Sequence, residues 1–125
     1  MKIIKEKRIY EEEKDDLMEM ATLRKFRSGL PVNIYVDDSM SYINGGHGKR
    51  IKFQPDTGNR PITRSMIPMS IEDEPRILIN NPKTSLSYSD IEKIKNFVRI
   101  NKQILLDLSD MKIDIGEFLK KMKKV

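Results

Sequence analysis

"KRIKFQ", residues 49–54, is the stretch on which the fold turns. Ile51 and Phe53 alternate with Arg50, Lys52 and Gln54, the period-two pattern of a strand with one face in a core and a basic face outward. Upstream, "VNIYVDD" at 32–38 is dense in β-branched and aromatic side chains. Between the two runs, Asn44, Gly45 and Gly46 supply the positive-φ positions of a tight turn. The pair predicts a hairpin whose connection carries the chain's one histidine, His47.

Working outward, "MATLRKFRSG" at 20–29 supports two readings. Its β-rich setting favours a strand over 20–26, paired with the run at 32–38. The rival is a helix over 11–29, with acids first, bases last and Gly29 closing it, as a macrodipole prefers. Downstream, Pro55, Asp56, Thr57 and Gly58 spell a turn. "MIPMSI" at 66–71 and "RILIN" at 76–80 read as weaker strands, which Pro68 and Pro75 push toward a sheet edge.

After Pro82 the apolar period lengthens to that of a helix. Ser87 is placed to cap it, with Asp90 reaching back and Leu86 stapled to Ile91. Ile91, Ile94, Phe97, Val98, Leu105 and Leu108 form one apolar face interrupted by Asn101. A second helix opens at Asp114, with Glu117 as box partner and Ile113 stapled to Phe118. Its face is Ile115, Phe118, Leu119, Met122 and Val125, and its lysines gather at the C-terminal end. The expected fold is α+β: a small antiparallel meander of about four strands, covered on one face by two C-terminal helices. One domain is expected over 1–125, with 1–17 an irregular or helical extension, 18–80 β-rich and 87–125 helical.

The charge balance bears on partners. With 24 Lys and Arg against 19 Asp and Glu, the net charge is +5. Two local concentrations stand out: Lys49, Arg50, Lys52, Arg60 and Arg64 against Asp56, and the tail Lys120, Lys121, Lys123 and Lys124. Zero cysteines exclude disulfides, thiolate nucleophiles and Cys-based metal sites. No apolar stretch approaches a membrane span, and the charged opening lacks a signal-peptide core, so the cytoplasm is the expected compartment.

Candidate chemistries fail one by one. Gly45, Gly46, Gly48 and Lys49 echo a phosphate loop, but the glycine spacing is wrong and Arg50 follows where Ser or Thr is required. Asp56, Glu74 and Arg76 echo a nuclease centre, yet Arg is a poor base and Pro75 interrupts the strand such a site needs. His47 has no second His or Cys beside it. Asp37 with Asp38, and Glu72, Asp73 and Glu74, suit strand ends and turns. The reading is therefore a protein without catalytic residues, metal or cofactor.

"ATLRKFRSGLPVNIYVDD", "YINGGHGKRIKFQPDTG" and the two-helix tail together resemble a family of short, uncharacterised bacterial proteins, many carried on mobile elements or beside toxin-antitoxin-like genes. The likeness spans roughly residues 21–110 and implies the same fold. In that family histidines follow the strand-ending acid pair. Here Asp37 and Asp38 are followed by Ser39, with Ser41, Tyr42 and Ile43 beyond, so no metal or acid-base role carries over.

Binding is then the expected activity, as an accessory factor of a phage or mobile element that engages a protein partner. The contact would be the basic face around residues 47–64 or an edge bearing adaptable methionines (Met18, Met20, Met40, Met66, Met69). The alternative is direct nucleic-acid binding, with His47, Lys49, Arg50, Lys52, Arg60 and Arg64 as the anion-binding set.

Overall fold

The computed structural model describes residues 20–37, 49–58 and 66–125, and the expected extension over 1–17 lies outside them, as does the Asn44–Gly45–Gly46 turn. Four strands, β1 (Met20–Leu23), β2 (Ile34–Asp37), β3 (Arg50–Phe53) and β4 (Ile67–Ser70), pair antiparallel in chain order. A one-turn helix α1 (Lys25–Ser28) joins β1 to β2. After the sheet come α2 (Tyr88–Ile100), α3 (Lys102–Ser109) and α4 (Ile115–Lys121). The α+β class and the meander are those expected. No helix among the described residues is long and apolar enough to cross a membrane.

Register explains the core. Leu23, Ile34, Phe53 and Ile67 stand opposite one another across the four strands, and Val36, Ile51 and Met69 form the next row. Both rows pack with Ile94, Phe97, Val98, Leu105, Leu108 and Phe118 of the helices in one buried cluster. Each such side chain contributes about 1.5–3 kcal/mol by leaving water.

Helix ends follow the capping signals. The Ser87 hydroxyl accepts from the Asp90 amide while the Asp90 carboxylate accepts from the Ser87 amide. Leu86 is buried, and Ile91 packs against the core beside it. Asp114 accepts from the Glu117 amide at 2.8 Å without the reciprocal bond expected of the Glu117 carboxylate, and Lys120 and Lys121 occupy the last turn of α4.

Several expectations are corrected. The strand foreseen over 20–26 stops at Leu23, and α1 follows, closed by Gly29 in the left-handed region at φ 79°. Leu23 and Leu30 both enter the core, and one helical turn between them lets the chain reverse within that span. The first C-terminal helix is two helices. Asn101 sits buried between them, donating to Phe97 O at 3.0 Å and Lys123 O at 2.8 Å while accepting from Lys123 N at 2.8 Å. The apolar periodicity runs on through this break, so α2 and α3 share one core. Val125, expected on the inner face of α4, is 52% exposed because the helix ends at Lys121.

At the sheet edge, "RILIN" forms only a bridge from Ile77 to Met69, not a strand. Its backbone still covers β4, with Leu78 N donating to Pro68 O at 3.0 Å and Ser70 N to Arg76 O at 2.9 Å. Pro68 is tolerated because β4 is the edge strand of the ladder. Gln54, expected outward, is buried: its side-chain carbonyl accepts from Asn33 N at 3.3 Å. Finally, the sheet face turned from the helices is closed at its centre. Tyr35, whose backbone stands opposite Thr22 and Lys52, is only 1% exposed.

Candidate binding surface

Strand alternation decides where the expected anion-binding residues go. Lys49 lies on the helix side of β3, where its ammonium pairs with the Asp110 carboxylate at the end of α3. The contact ties strand to helix, and both side chains are about three-quarters covered. Arg50 and Lys52 point to the other face, half-buried, in register with Ser70 and Pro68 of β4. The sheet thus separates Lys49 from Arg50 and Lys52 instead of presenting one basic patch. His47, Arg60 and Arg64 lie outside the described residues.

The acidic triplet has structural work. Glu72 accepts from the Ser70 hydroxyl at 2.6 Å and from Arg76 Nε at 3.1 Å. The Ser70 bond first, and then Arg76, holds its carboxyl below the usual carboxylate range. Asp73 pairs with Lys102 at 3.0 Å, its carbonyl accepts from Arg99 Nε at 3.1 Å, and Glu74 lies 3.7 Å from Arg99. These contacts fasten the 71–76 loop to the junction of α2 and α3. Asp56 accepts from Gly58 N at 2.9 Å, the turn its sequence predicts. Among the described residues no group of acids or His is arranged to hold a metal ion.

Among the described residues, the Tyr35 hydroxyl is the one buried side-chain polar atom without a hydrogen-bond partner. Burial pushes its phenol upward, opposed by the Arg24 charge and the nearby Asn33 side chain.

An exposed aromatic and basic cluster sits at the α1 turn. Phe26 is 73% exposed, the Arg27 guanidinium lies 5.5 Å from its ring centroid, and Arg24 beside it is exposed. The turn beneath is tightly held. Lys25 N donates to Asn33 Oδ1 at 2.8 Å, Gly29 N to Lys25 O at 3.0 Å, and Leu30 N to Ser28 Oγ at 3.0 Å. Lys25 Nζ reaches Thr57 O at 2.7 Å, tying α1 to the 55–58 turn. Asn33 is in turn fixed by Gln54. The strand reading of 20–26 concealed this surface, whereas the closing Gly29 of the helical rival was its visible trace.

Of the candidate methionines, Met69 is a core residue and Met66 is half-buried. Met18 and Met40 lie outside the described residues. Comparison of the chain with protein-family models, curated proteins and solved structures gives no match.

Proposed function

We propose that this chain acts by binding a protein partner, with the α1 turn as its contact, and performs no catalysis. The observation that carries this reading is Phe26, a large ring left 73% in water on a backbone fixed by several hydrogen bonds. An exposed aromatic on a fixed backbone beside arginines has the make-up of an interface hot spot, since little backbone freedom remains to be lost on docking. Four of the described carboxylates, Glu72, Asp73, Glu74 and Asp110, form ion pairs within the chain, which supports a structural role for those four. Service to a phage or mobile element is part of the proposal and is supported by the family resemblance alone.

The test is capture from native lysate by immobilised wild-type and Phe26→Ala protein, each with and without nuclease. The expected result is a protein retained by wild type through nuclease treatment and lost with the variant. Equal retention by both, or material that disappears with nuclease, overturns the proposal.

A further inference from the structure

The α1 turn also specifies the chemistry of what it meets. Arg24, Lys25 and Arg27 fall within four consecutive residues, and the sequence holds no acid from residue 20 to residue 36. Lys25 donates to Thr57 O, which leaves Arg24 and Arg27 as the exposed cations two residues before and one residue after Phe26 in the chain. The one described acid on the adjoining turn, Asp56, directs Oδ1 to Gly58 N. Arg27 already lies over the Phe26 ring, a contact that orients the guanidinium without neutralising it. An apolar centre with a cationic rim calls for an apolar side chain with a carboxylate rim. Arginine sharpens that demand, because its planar fork matches a carboxylate in two parallel hydrogen bonds.

We infer that the partner presents an acidic protein segment carrying an apolar side chain, which packs on Phe26 while its carboxylates meet Arg24 and Arg27. The inference rests on the protein-binding reading above and adds the partner's chemistry. Two copies meeting α1 turn to α1 turn do not fit, since that contact would oppose cation to cation. A single-stranded nucleic acid fits less well. Such strands are held by successive stacking rings along a basic track, and the other exposed ring among the described residues is Tyr88, on α2. Tyr35, Phe53, Phe97 and Phe118 are all buried.

The test is a titration of the ¹⁵N-labelled full chain, followed by backbone amide shifts so that weak binding registers. The probe is a dodecapeptide repeating Glu-Leu-Asp-Phe. Its controls are the Gln-Leu-Asn-Phe counterpart and a thymidine oligonucleotide of equal length. The acidic peptide is expected to shift the amides of residues 24–29 and 57–58, with binding that weakens as salt rises. The neutral peptide and the Arg24→Gln/Arg27→Gln double variant are each expected to bind about threefold to tenfold more weakly, the scale of two exposed charge contacts. Phe26→Ala should lose binding while its remaining spectrum superimposes on wild type. Absence of shifts at the turn, or indifference to the double variant, overturns the inference. Tighter, Phe26-dependent binding of the oligonucleotide overturns it in favour of nucleic acid. If capture from lysate depends on Phe26 while the peptide fails, only the acidic chemistry falls; if capture fails as well, both proposals fall.

Discussion

Two short helices of this molecule each carry one phenylalanine, and they are held in opposite ways. In α4, Phe118 is fully buried among Phe97, Leu105 and their neighbours, so the side chain fastens the helix to the core. In α1, Phe26 is in water, and the turn is fastened through its backbone by Asn33 and the Gly29 closure. A hydrophobic residue normally adds stability by being buried, and α1 forgoes that contribution while keeping its geometry. The contrast shows what the backbone anchoring achieves: it frees the ring of α1 for an external contact.

The contrast is sharpest in stability. Phe118→Ala should cost about 3–5 kcal/mol of unfolding free energy, the range for emptying an aromatic core site, read from urea denaturation. Asn33→Ala should cost about 1–3 kcal/mol, because the Lys25 amide loses its acceptor. Amide exchange at Gly29 should quicken in that variant while the α2 amides stay protected. Gly29→Ala should cost about 1–2 kcal/mol, and the cost is conformational. A Cβ there meets nothing within 4 Å, but the residue sits at φ 79°. If Gly29→Ala is neutral, the αL closure is not what ends α1.

The parts of this fold that were legible in the sequence are those set by near neighbours in the chain. Alternation in "RIKF" placed β3 and its inner face, and Ser87, Asp90 and Asp114 marked two helix starts within three residues of the amides they satisfy. What escaped depends on distant partners. The α1 turn needs Asn33, eight residues beyond Lys25. Burial of Gln54 answers to Asn33, 21 residues away, and the break at Asn101 to Lys123, 22 residues on. Lys49 read as a free cation because Asp110 lies 61 residues downstream. The candidate site was half visible: the basic and aromatic residues of "RKFR" stood in plain text, but a strand reading gave no reason for Phe26 to be held outward.

The most direct test is the unfolding free energy of Phe26→Ala by urea denaturation, measured beside wild type and Phe118→Ala. The account expects a change within about 0.5 kcal/mol for Phe26→Ala, as for an exposed side chain away from any packing. A loss approaching that of Phe118→Ala would show that the ring is packed within the protein itself, and would contradict the assignment of α1 as a surface held ready for a partner.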